Sequence, residues 1–122
     1  MIEVQLVDHQ DNPIGSMEKL EAHRKGVLHR ALSIIIINSK KELLLQRRAL
    51  EKYHSPGLWT NTCCSHPYPS ELPMNAAKRR LVEEMGMQTD LNFLFKFQYK
   101  CDFENGLIEH ELDHVFCLLY TS

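Results

Sequence analysis

The sequence predicts a single α+β domain, a mixed or antiparallel sheet flanked by helices. Three observations point there. A β-branched run within residues 29–37, including four consecutive isoleucines from Ile34 to Ile37, reads as a buried strand. Apolar residues recur at helical spacing in one substantial stretch, at Ala76, Ala77, Leu81 and Met85. Two strand-like segments, 94–101 and 108–120, flank Glu104-Asn105-Gly106, and Asn-Gly is a strong hairpin signal. Mostly strands, with one helix between two strand pairs, is an α+β order.

Taken in order, residues 2–7 alternate apolar with polar and read as a strand, closed by a turn cluster over 8–15. Ser16 is placed to cap a short helix over 17–24. The strand at 29–37 turns at Asn38-Ser39-Lys40-Lys41 and pairs back through 42–48 as a hairpin. Residues 51–73 hold four of the five prolines, so the segment is expected to be irregular, with a short extended piece near 59–64. The helix over 75–85 stops at Gly86, a natural left-handed cap. No repeat, low-complexity tract or linker divides residues 1–122, so one domain is expected. Its last residues, 118–122, look like the tail of a strand with nothing following to cover that side of the sheet. A missing C-terminal portion is therefore expected.

At 122 residues the chain suffices for one compact domain and not for two. Net charge is −2, and the clusters Lys40-Lys41, Arg47-Arg48 and Lys78-Arg79-Arg80 are each offset by acids or sit beside a proposed site. A nucleic-acid surface needs a broader positive stripe, so no nucleic-acid partner is expected. No stretch approaches the roughly 18 apolar residues of a membrane span. Met1-Ile2-Glu3 does not open a signal peptide, which makes the cytoplasm the expected compartment. Cys63, Cys64, Cys101 and Cys117 show no paired CxxC spacing and are read as reduced thiols.

The chemistry-bearing residues are histidines and carboxylates. His23 and His29 flank a short basic loop, and His66 follows Cys64 closely. In Glu109-His110-Glu111 the two acids stand at i and i+2 of a predicted strand, so both project from one face. Carboxylates that close repel unless a cation, a proton or solvent relieves them. Imidazole with carboxylate suits Zn²⁺ or Mn²⁺. A solvated edge strand would carry the same charges, and spacing alone leaves both readings open.

Two segments resemble a known family. The run from Pro56 through Trp59-Thr60-Asn61-Thr62-Cys63-Cys64-Ser65-His66-Pro67 closely resembles the signature around the catalytic cysteine of type I isopentenyl diphosphate isomerases. Arg79-Arg80-Leu81-Val82-Glu83-Glu84-Met85-Gly86 resembles their form of the Nudix helix. His23, His29 with Arg30-Ala31-Leu32-Ser33, Leu45-Gln46-Arg47-Arg48-Ala49, Tyr99 and Glu109-His110-Glu111 follow in family order.

The resemblance implies a Nudix-like mixed sheet with flanking helices. It implies that His23, His29, His66, Glu109 and Glu111 bind one divalent ion, Zn²⁺ or Mn²⁺. Cys64 would be the catalytic thiol, Glu111 its partner across the substrate, and Tyr99 a hydrogen-bonding partner of the acid–base group. Glu84 and the backbone carbonyl of Cys64 would hold a Mg²⁺ that also binds an isoprenoid diphosphate, with Lys19, Arg48, Lys52 and Arg80 neutralising the diphosphate. The implied reaction converts isopentenyl to dimethylallyl diphosphate.

Two other functions compete. In a Nudix hydrolase alignment Ser65 replaces the opening glycine, Glu71 is the first acid and Glu83-Glu84 the last pair. Arg80 then stands where that pattern has an acid, which disfavours metal-assisted hydrolysis. A non-catalytic metal-binding domain is the other, since the family's C-terminal part contributes a tryptophan and this chain has only Trp59.

Overall fold

The computed structural model describes residues 2–38, 43–44, 46–47, 59–60 and 63–120. Its elements are β1 (Glu3–Val7), β2 (Pro13–Glu18), α1 (Lys19–Lys25), β3 (His29–Asn38), β4 (Leu43–Leu44), β5 (Gln46–Arg47), β6 (Trp59–Thr60), β7 (Cys63–Ser65), α2 (Pro73–Met85), β8 (Asn92–Asp102) and β9 (Ile108–Tyr120). The main sheet runs β2-β1-β3-β9-β8, with β4 and β7 also paired to β3, and β5 pairs β6 separately. β3 and β9 are parallel and their other partners antiparallel, so the sheet is mixed and the α+β expectation holds.

Alternation divides β3 and β9 between two faces. Leu32, Ile34, Ile36, Phe116 and Leu118 face a core closed by Ala76, Ala77 and Leu81 of α2. Burying side chains of the size of Leu32, Ile34, Ile36 and Leu81, each at most 1% exposed, contributes about 1.5 to 3 kcal/mol apiece before entropy is charged. His29, Ser33, Glu111 and Asp113 take the alternate positions and are buried as well. These positions give the second face a buried polar cluster.

Two expectations need correction. Residues 13–18, assigned to a turn and a helix start, form β2, because the free edge of β1 satisfies their backbone groups. Pro13 begins this edge strand, where a missing N–H is tolerated. The helix starts at Lys19, and Glu18 rather than Ser16 caps it, accepting from Leu20 N and Glu21 N at 2.9 and 3.1 Å. The hairpin after β3 is also shorter than expected. Leu43 and Leu44 pair with Ile37 and Ile36, whereas Ile34, Ser33 and Leu32 pair with Cys63, Cys64 and Ser65. β7 thus takes β3 positions a longer return strand would need, and Gln46 and Arg47 pair with Thr60 and Trp59 instead.

Two local features aim residues at the polar face. Gly26 ends α1 at φ +68°, and a Cβ there would meet Ile108 Cγ2 at 3.0 Å. Glycine therefore lets α1 pack close against β9. In β8 a bulge near Leu94 separates the pair Phe93–Phe116 from Phe95–Val115. Phe93 lies on the core face, edge-on to Phe116 with centroids 5.7 Å apart. Beyond the bulge, Phe97 and Tyr99 stack on one another and Tyr99 reaches the acids of β9.

Candidate metal centre

His23 from α1, His29 from β3, His66 just after β7 and Glu111 from β9 converge. Their donor atoms all lie within 4.8 Å of one another. Glu111 Oε2 is 2.7 Å from His66 Nε2, 3.1 Å from His29 Nε2 and 3.8 Å from His23 Nε2. The far ring nitrogens explain which atoms face inward. His23 Nδ1 donates to the Lys19 carbonyl at 2.8 Å, and His29 Nδ1 to the Val27 carbonyl at 2.9 Å. A neutral imidazole with its hydrogen on Nδ1 presents a lone pair at Nε2.

Burial lowers the proton affinity of His23 and takes His66 down to about 4, so both are neutral at pH 7. Burial alone would raise Glu111, but His66 and His29 outweigh it and hold its carboxyl well below the ordinary range. The ionised carboxylate thus meets His66 and His29 at hydrogen-bonding distance, while buried His23 Nε2, 3.8 Å away, aims a lone pair at the same point. A divalent cation among these atoms turns the repulsion into ligation, and three imidazoles with one carboxylate fit Zn²⁺ or Mn²⁺.

Tyr99 adds to the case. Its hydroxyl lies 2.6 Å from Glu111 Oε1 and also contacts Glu109 Oε1. One hydroxyl hydrogen satisfies one carboxylate at a time, so the second contact calls for another proton or a nearby cation. Burial, with Glu111 and Glu109 beside it, holds the phenol well above its usual range. Glu109 meets the group of four through Tyr99 and is not among the four donors that converge.

The remaining expected residues distribute as follows. Cys64 is exposed and in no disulfide, with Sγ 3.9 Å from Ser33 Oγ. Lys19 opens α1, and its charge disfavours protonation of His23 and His66. Arg80 binds Glu83 Oε1 at 2.8 Å and also contacts Glu84, so an expected phosphate anchor and an expected Mg²⁺ ligand are paired with each other. Arg48 and Lys52 lie outside the described residues, as does the side chain of Cys63. Sequence reasoning missed Ser33 and Asp113, which join at 2.8 Å beside Cys64. Asp113 extends the alternation of Glu109 and Glu111 by one step, a signal present in the strand pattern.

Residues 27–121 match the NUDIX domain. A Pectobacterium atrosepticum protein named isopentenyl-diphosphate Delta-isomerase is 59% identical over 116 residues, covering 95% of this chain and 65% of the relative. Isopentenyl-diphosphate Delta-isomerase 2 of Aromatoleum aromaticum is 56% identical over 114 residues, covering 93% of this chain and 60% of the relative. The chain therefore spans somewhat under two-thirds of the length of these relatives. The crystal structure of Deinococcus radiodurans DR0079 superposes with a TM-score of 0.79 at 19% identity, covering 98% of this chain and 73% of that one. The MutT protein of Methanosarcina mazei gives 0.64 at 18% identity, covering 78% and 66%. These two likenesses concern the fold alone.

Proposed function

The chain belongs to the NUDIX domain family, and from that premise we propose that it carries the chemistry of isopentenyl diphosphate isomerisation. The observation that carries this reading is the place of the cation-ready group. It draws its donors from α1, β3, β9 and His66, and none of the four comes from α2. On α2, Arg79 and Arg80 both hold Glu83, and Arg80 also holds Glu84, so those acids are internally neutralised. That arrangement suits an anion anchor better than a hydrolytic metal cluster.

His23, His29, His66 and Glu111, with Glu109 adjoining, would hold Zn²⁺ or Mn²⁺; when bound, the ion supplies positive charge that tunes the proton affinity of Glu111. Cys64 and Glu111 form the acid–base pair. One delivers a proton to the terminal methylene, leaving a tertiary carbocation, and the other removes a proton from the carbon on its opposite side. The double bond is thereby moved with no net change in composition. Tyr99 holds Glu111 by donating to Oε1. Lys19 and Arg80, with Arg48 and Lys52, anchor the diphosphate; as it draws Arg80 off Glu84, Glu84 with the Cys64 carbonyl would hold the Mg²⁺ that accompanies it. Binding energy at this remote end positions the reacting carbons. We place the reaction in the cytoplasm, where Cys64 stays a thiol.

The test is incubation with isopentenyl diphosphate, Mg²⁺, and Zn²⁺ or Mn²⁺, followed by product analysis. Dimethylallyl diphosphate is expected. Release of inorganic phosphate or a monophosphate would favour the hydrolase, and metal uptake without any product would favour a binding domain.

A further inference from the structure

Behind Cys64, unused by any step above, side chains from three strands stand in line. Ser33 of β3 is paired directly with Cys64 of β7, so their side chains share a face, and Asp113 of β9 lies on that face too. Ser33 Oγ donates to Asp113 Oδ2 at 2.8 Å and lies 3.9 Å from Cys64 Sγ, a contact in which either atom could donate. A hydroxyl has one hydrogen. Where the Asp113 carboxylate takes that hydrogen, Ser33 meets the sulfur with a lone pair and the thiol is the donor. We propose that Ser33, anchored by Asp113, is a positioning residue that holds the Cys64 thiol in one orientation on the metal-facing side of the sheet.

Burial favours a positioning role over a merely tolerated polar pair. Ser33 and Asp113 are each 5% exposed, and Asp113 Oδ1 is buried with no hydrogen-bond partner among the described residues. An apolar residue at either strand position would avoid that desolvation. A fold that keeps the pair loses stability for a local constraint, which is the pattern of functional sites. The constraint has an evident use. Cys64 is exposed, and an unrestrained thiol there would divide itself among several χ1 wells. Fixing one well raises the fraction of encounters in which sulfur and substrate are aligned.

The consequence for turnover rests on the isomerase reading, whereas the contact itself does not, so two readouts are needed. The first is the S–H stretch of Cys64, isolated as the Raman difference between the wild type and Cys64→Ser. In Ser33→Ala the band should move to higher frequency as the hydrogen bond is lost, and Ser33→Thr should return it. Asp113→Val frees the serine hydrogen to turn toward sulfur, and should move the band even if Ser33→Ala folds poorly. The second readout is isomerisation, where Ser33→Ala should lower kcat on the order of tenfold with KM unchanged, and Ser33→Thr should restore it. Metal content, equal in all variants, controls for an intact site. A band that stays put in both Ser33→Ala and Asp113→Val overturns the proposal, as does a kcat loss that threonine fails to rescue. A band that moves as expected in protein without isomerase activity supports the positioning contact and sinks the isomerase reading instead.

Discussion

Glu111 and Asp11 each stand at the centre of a polar cluster carried by β3 and β9, one on either face of the strand pair. Asp11, in the turn between β1 and β2, binds Arg30 Nε at 2.9 Å, His114 Nε2 at 2.8 Å and Lys96 Nζ at 3.3 Å. Its backbone carbonyl accepts from Arg30 Nη2 at 2.8 Å. Burial would raise the Asp11 carboxyl, but Arg30 and His114 outweigh it and hold it low. That cluster is complete as built, with nitrogen donors, Arg30 and Lys96 among them, meeting an anionic acceptor. Around Glu111 the neighbours are imidazoles that burial keeps neutral in His23 and His66, and His23 Nε2 turns an acceptor toward the acceptor carboxylate. The difference separates structure from function. A carboxylate that its own neighbours satisfy is a strut, and one that meets lone pairs is half of a binding site.

The comparison breaks most visibly at Glu111. Glu111→Gln removes an anionic ligand and one member of the acid–base pair, so turnover should fall on the order of a thousandfold or more. Stoichiometric Zn²⁺ or Mn²⁺, measured by elemental analysis after dialysis, should be lost with it. In metal-free protein the same change should leave stability equal or higher, because the new amide can donate to Nε2 of His29 or His66. Strong destabilisation of metal-free Glu111→Gln in urea would mean that the cluster is already satisfied without a cation.

Asp11→Asn should behave in the opposite way. Removing the anion leaves Arg30, whose side chain is 10% exposed, without its charge partner. A loss of about 3 kcal/mol in urea unfolding is expected, with metal content unchanged. Loss of metal without loss of stability would reverse the roles given to the two clusters.

Much of this was legible in the sequence, and the limits have physical causes. The β-branched run of β3, the Asn-Gly turn before β9 and the spacing of Ala76, Ala77 and Leu81 are local signals, and all three mark elements of the fold. β2 was misread because Pro13 and Gly15 look like turn residues when the partner edge of β1 is not in view. Likewise nothing local says that β7 takes the middle of β3 and cuts the hairpin short. At the candidate site, ligand types were readable but their meeting was not, since His23, His29 and Glu111 come from three separate elements and His66 from the segment after β7. The pairing of Arg80 with Glu84 was hidden by reading each against an absent substrate, although i and i+4 on one helix are natural ion-pair neighbours.

Asp113 sharpens the comparison as a third buried carboxyl between the two extremes. Burial raises its pKa to about 7 against an ordinary 3.8, and Glu111 and Glu109 push the same way while Ser33 opposes them. A raised folded value means the folded state binds the extra proton, so stability is full below about pH 4 and declines as pH rises toward 7. In metal-free protein, Asp113→Asn should match the wild type near pH 4. Above pH 7 it should be more stable, by on the order of 2 kcal/mol. Urea titrations at several pH values check this, and a gain independent of pH would show that ionisation of Asp113 is not its source.

The smallest effect is expected at Lys96, and its smallness is informative. Lys96 is the third nitrogen partner of Asp11, but its side chain is 49% exposed, against 10% for Arg30 and 8% for His114. Water screens the exposed ammonium, and ordering its long chain offsets part of the Coulomb gain. Lys96→Ala should therefore cost less than about 0.5 kcal/mol, and less still as salt is raised. If the strut around Asp11 is balanced by its two buried partners, the urea midpoint will barely move while Asp11→Asn shifts it strongly. A loss above about 1.5 kcal/mol for Lys96→Ala would show that Arg30 and His114 do not satisfy Asp11 between them. The cluster would then be under-compensated, as the one around Glu111 is, and the contrast between the two faces would fail.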